Sequence, residues 1–301
     1  MADENNNEGG KREFAPTGGT IQGNVVADPK VIDGQNGKFV AMRVAVNNGY
    51  KKGDEFVETA TTYVEVTVNQ PALVSKIEGA MAEGTFGKGK PIRVEGYPLF
   101  DSYDKADGTK VETVKLAARK GETAIDLAPD TKKRANDFVL SGNIGNIRPV
   151  EGEKNGKAYK FYELSVAYDA GQAREGEEQR PATWLRARVN TPKAIEALEA
   201  GMADGSIGVG GKILLKGSIE PSKAYTDGKG VRREGLEVNV KPFADSIQSI
   251  FAPKNKGEAS KDQAEGEAQA PAAEEGKKAA GKGKGKAKAG AKQDRDDEIP
   301  F

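Results

Sequence analysis

The sequence predicts an all-β protein: two tandem five-stranded barrels, each with one short helix between its third and fourth strands, followed by a disordered C-terminal tail. Three observations predict it. The segment TYVEVTVNQP at 62–71 recurs as TWLRARVNTP at 183–192, an offset of 121. Apolar and polar residues alternate with period two through much of each copy. Beyond Ala252, apolar residues nearly vanish.

Further matches extend the repeat. AMAEGTFG at 80–87 pairs with GMADGSIG at 201–208, and Gly96 with Gly217, at the same offset. Upstream, Gly23-Asn24 pairs with Gly142-Asn143, and Asn36-Gly37-Lys38 with Asn155-Gly156-Lys157, at an offset smaller by two. A small insertion between the segments accounts for that difference. In copy one a first strand is expected over 19–26, a turn over 34–37, and a second strand over 39–47. There Val40, Met42, Val44 and Val46 alternate with Ala41, Arg43 and Ala45. In the third strand Val64, Val66 and Val68 face the core, as do Leu185, Ala187 and Val189 in copy two. Pro71 and Pro192 each open a helix at its first position. Leu73, Ile77 and Met81, or Ile195, Leu198 and Met202, supply its apolar stripe, and a glycine-rich segment stops it. A fourth strand follows at 91–95 and 212–216. Asp107-Gly108 and Asp227-Gly228 mark the tip of a long hairpin into a fifth strand, 111–117 and 236–240. Five strands with a helix between the third and fourth is the order of the OB-fold.

The expected organisation is an arm at 1–16, a first OB-fold at 17–128, a linker at 129–136, and a second OB-fold at 137–251. A disordered linker at 252–293 and an acidic tip at 294–301 complete it. The linker, rich in Ala, Gly, Lys, Glu and Pro, cannot offset the entropy of ordering. As a flexible coil it would hold the tip roughly 35 Å from the folded body.

Composition closes off much chemistry. With no cysteine there are no disulfides, thiolate metal ligands or cysteine nucleophiles, and with no histidine the commonest general base and zinc ligand is missing. No catalytic residues, metal or cofactor are expected. A nuclease using paired carboxylates and a metal is disfavoured, because the acidic residues fall in turns and show no matched cluster in the two copies. No apolar run approaches the roughly 20 residues that span a bilayer, and 1–16 has no signal-peptide character, so a cytoplasmic location without membrane attachment is expected. Lys plus Arg (46) equals Asp plus Glu (46). Any nucleic-acid surface is therefore a local patch in a balanced chain.

Alternation places Tyr63, Glu65 and Thr67 opposite the core face of the third strand, and Trp184, Arg186 and Arg188 opposite it in copy two. A ring followed by cations is what an unpaired polynucleotide needs: bases stack on the ring while the cations neutralise phosphates. The strand alone leaves Trp184 open to a second reading, as a half-buried packing residue. Tyr50 after the second strand, Phe100 and Tyr103 on the hairpin arm, and Tyr168 and Tyr225 at comparable places in copy two are further candidate rings. Lys51, Lys52, Lys105 and Lys110, with Lys223, Lys229, Arg232 and Arg233 in copy two, bring positive charge to the same loops.

The first strand and turn, GNVVADPKV at 23–31, resemble those of bacterial single-stranded DNA-binding proteins. Thr62-Tyr63, and Thr183-Trp184 with Arg186, resemble that family's aromatic third strand. The terminal Asp296, Asp297, Glu298, Ile299, Pro300 and Phe301 are similar to its acidic tip. The resemblance implies sequence-nonspecific binding and protection of single-stranded DNA during replication, recombination and repair, with partner proteins recruited through the tip. It also implies a homodimer supplying four OB-folds. An OB-fold adaptor or strand-annealing protein that binds RNA or protein is the alternative. Copy two shows Ile147-Arg148-Pro149 where copy one has Asp28-Pro29, Asn69 and Asn190 stand where the family often has a ring, and copy one has Glu65 in place of a cation. Unequal affinity of the two barrels is therefore expected. Lys282, Lys284, Lys286 and Lys288 admit three roles: a soluble spacer, a charge clamp on the tip, or added DNA affinity.

Overall fold

A computed structural model describes residues 17–35, 37–53, 55–154, 156–168, 183–226 and 230–253, without the side chains of Tyr50, Lys51 and Tyr225. The expected N-terminal arm, the Asp227-Gly228 turn with Lys229, the tail beyond Pro253 and the acidic tip lie outside the described residues.

The strands of the first copy are β1 (Gly18–Val25), β2 (Lys30–Gly34), β3 (Gly37–Lys52), β4 (Glu55–Val68), β5 (Pro91–Asp104), β6 (Lys110–Ala118) and β7 (Ile125–Asp126), with helix α1 (Pro71–Ala82) between β4 and β5. The second copy has β8 (Ala135–Lys154), β9 (Lys157–Tyr168), β10 (Thr183–Val189), β11 (Lys212–Pro221), β12 (Tyr225–Thr226), β13 (Arg232–Glu234), β14 (Leu236–Val240) and β15 (Ile247–Phe251), with α2 (Pro192–Ala203) between β10 and β11. Each copy closes the same ring. In the first, β1 pairs antiparallel with β3 and β5, β3 with β4 and β5 with β6, while β4 and β6 run parallel. In the second, β8, β9, β10, β14 and β11 repeat that ring, with β10 parallel to β14. These are two OB-folds, as the element order predicts.

The expected alternation holds in detail: Val40, Val44, Val64, Val66, Leu185 and Ala187 are all buried. Leu73 and Ile77 bury the face of α1, and Leu198 that of α2, whereas Ile195 and Met202 are only half-buried against the core. The helix stops act as the glycine-rich segments predict. Gly84 and Gly205 take φ of 67° and 79°, a left-handed conformation that costs glycine little, and Thr85 donates to Ala80 C=O from its N–H at 2.9 Å and from its hydroxyl at 3.0 Å.

Three features differ from the sequence-based expectation. The fourth strands are longer, β5 running to Asp104 and β11 to Pro221. Short strands β2, β7 and β15 add to the sheet. The second barrel begins at Ala135, so residues 135 and 136 of the expected linker are strand.

The barrels are joined edge to edge. β1 pairs antiparallel with β8, Gly18 opposite Val139 through Gln22 opposite Ala135. Phe138 is buried against Gly19, where a Cβ would lie 2.5 Å from its ring. A buried polar cluster spans the same junction. Thr62 Oγ1 donates to Ile219 C=O at 2.7 Å and accepts from Asn48 Nδ2 at 2.7 Å. Asn136 Nδ2 donates to Asn48 and, at 2.8 Å, to Ile219 C=O, and its Oδ1 accepts from Ile219 N–H at 3.1 Å. β13 also runs parallel to β6, and Glu112 accepts from Leu236 N–H at 2.9 Å. The two copies therefore share one continuous sheet and one hydrophobic core.

Candidate nucleic-acid interface

The outward faces of β4 and β10 carry the expected rings. Tyr63 is 49% exposed and Trp184 56%, well beyond what a packing residue shows. They are presented differently. Across β3, Arg43 lays its guanidinium over the Tyr63 ring, 4.6 Å from the centroid. Across β9, Trp184 reaches β8, where Gly145 occupies a break in the strand register between Ile144 and Asn146. A Cβ at Gly145 would lie 2.4 Å from Cζ3 and 2.7 Å from Cη2 of the indole, so the edge of its six-membered ring closes onto bare backbone.

The neighbouring charges follow from register. Arg186 lies opposite Glu237 on β14, and Arg188 opposite Glu163 on β9. Arg188 pairs with Glu237 at 3.3 Å and places its guanidinium 5.3 Å from the Phe161 centroid. Its Nε, buried, has no hydrogen-bond partner among the described residues. Arg148 pairs with Glu163. Burial pushes the Glu237 carboxyl above its ordinary value despite the opposing pull of Arg188 and Arg186, with Glu220 and Glu163 adding to the rise. The cations beside Trp184 are therefore already opposed by carboxylates, which alternation along a single strand does not reveal. In the first barrel Glu65 faces outward beside Tyr63 and meets Lys115 at 3.7 Å, which also holds Asp101 at 3.0 Å.

Two expected contact rings belong elsewhere. Tyr168 is 4% exposed, its hydroxyl donates to Pro98 C=O at 3.0 Å, and its ring meets Phe100 edge-on at 4.9 Å between centroids. Tyr168 and Phe100 thus pack the two barrels together, with Tyr168 buried and Phe100 half-buried. Lys105 is engaged with Glu234 of the other barrel at 2.8 Å. Arg232 and Arg233 sit on β13 beside β6 and Lys110. Tyr103 and Lys223 are exposed away from either third strand, and Lys52 is exposed at the end of β3, opposite Glu55 at the start of β4. The side chains of Tyr50, Lys51 and Tyr225 lie outside the described residues. Sequence reasoning missed Arg43, Gly145, Tyr159 and Phe161. Tyr159 and Phe161 were visible as an alternating aromatic pair, whereas Gly145 becomes informative only once the register of β8 is known.

Among the described residues no group of carboxylates is placed to hold a metal ion, and no helix is long and apolar enough to cross a membrane. Residues 18–123 match the model of the Single-strand binding protein family. That match spans the first barrel. The second barrel, beyond the matched residues, repeats the same ring of strands. No curated protein matches the chain. Among solved structures, it is similar to the wild-type single-stranded DNA binding protein from Thermus aquaticus, with 14% identity over 80% of this chain and 96% of that one at a TM-score of 0.47. It is also similar to a small single-stranded DNA-binding protein from Streptomyces coelicolor, with 22% identity over 40% of this chain and 98% of that one at 0.32. A Plasmodium falciparum SSB in complex with ssDNA shows 16% identity over 40% of this chain and 100% of that one, at 0.31.

Proposed function

We propose that the protein binds single-stranded DNA with little sequence preference and without catalysis, coating strands exposed in replication, recombination and repair. The observation that carries this reading is Trp184: a half-exposed indole with its ring edge against Gly145, and with Arg186 and Arg188 following it along the same face. Such a ring accepts any base, at about 1 to 3 kcal/mol each, and the arginines exchange their carboxylate partners for phosphate. Tyr63 under Arg43 forms the weaker platform, since a base must displace the guanidinium or stack upon it. The cations Lys52, Lys105, Lys223, Arg232 and Arg233 add electrostatic attraction, and Tyr103 adds a further ring.

In the same reading, residues 252–293 tether the tip at 294–301, which recruits proteins of replication and repair: its carboxylates pair with cations while Ile299 and Phe301 fill an apolar pocket. Two copies of the chain supply four barrels, and the protein works in the cytoplasm on nucleoid DNA, or in the host cytoplasm if a phage encodes it. Trp184 is the only tryptophan, so its quenching by a stacked base reports binding directly. Titration with single-stranded DNA, single-stranded RNA and duplex at several salt concentrations tests the reading. Strong quenching by single-stranded DNA with a negative salt slope is expected. Preference for RNA would favour the adaptor or annealing alternative, and no quenching by any nucleic acid would sink the proposal.

A further inference from the structure

The outer face of the second barrel carries a second exposed ring packed against a glycine of β8. Tyr159, near the start of β9, is 43% exposed. A Cβ at Gly152, directly opposite it on β8, would lie 2.5 Å from its hydroxyl oxygen and 2.6 Å from Cζ, so this ring too is seated on a bare glycine backbone. Phe161 stacks beside it with the planes 20° apart and centroids 6.1 Å apart. Arg188 from β10 covers Phe161 at 5.3 Å, and Trp184 lies further along β10 on the same face. Outward alternation runs unbroken through Tyr159, Phe161, Glu163, Ser165 and Ala167 on β9, and through Trp184, Arg186 and Arg188 on β10.

We infer that Tyr159 is a second base-stacking position on the second barrel, taking an unpaired base of the same strand whose other base lies on Trp184, with Arg186 and Arg188 meeting the phosphates between them. The inference rests on the single-strand reading above and deepens it by giving the strand a direction across the barrel. At about 3.3 Å per residue, the stretch of β9 from Tyr159 to Ala167, which faces Trp184, separates the two rings by roughly 26 Å. That distance suits the roughly 4 to 16 nucleotides such a barrel covers. Glu163 lies on this path, but Arg148 already neutralises it. Lys160 points to the other face, bound to Glu199 at 2.7 Å, and takes no part.

A purely structural role, the ring covering Gly152 at a hairpin, predicts something different. It would lower stability and weaken every ligand alike. The test uses the full-length chain and oligothymidylates from 3 to about 16 nucleotides, with Trp184 quenching as the readout at fixed salt. In wild type, affinity rises with length until both rings are covered. Y159L is expected to lose about 5- to 150-fold of affinity for the longer oligonucleotides only, with unchanged affinity for the shortest that still quench, while Y159F, which keeps the ring, binds as wild type. Equal affinity of Y159L and wild type at every length, or an equal loss at every length, overturns the inference while leaving the single-strand reading intact. A wild-type chain whose indole no oligonucleotide quenches overturns both.

Discussion

Replacing Gly145 with alanine should weaken single-strand binding without harming the fold. The added Cβ would meet Cζ3 of Trp184 at 2.4 Å and Cη2 at 2.7 Å, whereas carbon atoms prefer about 3.5 to 4.0 Å. The indole must therefore lift by more than about 1 Å. Backbone strain is not involved, because Gly145 is not among the glycines with positive φ, and the next contact, Ser165 C=O, is 3.6 Å away. Relief falls on the free end of an exposed side chain, so unfolding free energy should change by less than about 1 kcal/mol. Complete removal of a stacked ring costs about 1 to 3 kcal/mol. A tilted ring keeps part of that, and the expected loss for Gly145→Ala is about 0.5 to 1.5 kcal/mol, or roughly 2- to 12-fold in Kd. The assay is a fluorescence titration of wild type and Gly145→Ala with oligothymidylate, alongside urea unfolding. The unliganded emission maximum should also shift as the indole becomes more solvated. Wild-type affinity together with unchanged emission would refute the idea that the glycine seat presents this ring.

Trp184→Ala should weaken binding more than Tyr63→Ala, because Arg43 already occupies the Tyr63 ring; equal losses in a salt-controlled titration count against the asymmetry. Asn136→Ala strips Ile219 N–H of its acceptor and Asn48 of a donor at the barrel junction, and at about 1 to 3 kcal/mol per orphaned group should cost about 2 to 4 kcal/mol in urea unfolding. A loss under about 0.5 kcal/mol would mean that the cluster does not hold the barrels. Glu237 carries a raised pKa in the folded state, so the folded protein binds its proton more tightly than the unfolded chain does. Its contribution to stability is therefore most favourable at acid pH and falls as pH rises through the window above 4.5, the unfolded value. Relative to Glu237→Gln, wild type should lose stability across that window in pH-dependent unfolding, and parallel curves would contradict the assignment.

How far the interface was legible varies residue by residue. The outward placement of Tyr63 and Trp184 follows from strand periodicity alone, because a buried face on one side leaves the alternate residues no other direction. Tyr168 shows the same rule neglected. It shares its parity with Tyr162, Leu164 and Val166, all buried, so the strand itself placed it inward, and only its nearness to a loop suggested otherwise. Phe100 was not decidable in this way, since its burial depends on the other barrel arriving beside it. The pairing of Arg188 with Glu237 joins residues 49 positions apart in sequence only because β10 and β14 run parallel and adjacent.

From the sequence by itself come the duplication, the ring order of each barrel, the helix between third and fourth strands, and the side of each strand that meets the core. These depend on local periodicity and turn chemistry, which act over a few residues. Only the tertiary structure decides how the copies join through β1 and β8, which cations are already matched by carboxylates, and which rings come to rest on glycine. Those depend on strands far apart in the chain meeting at one register, and a single-residue break such as the one at Gly145 resets what lies beneath a side chain without leaving a mark in the alternation.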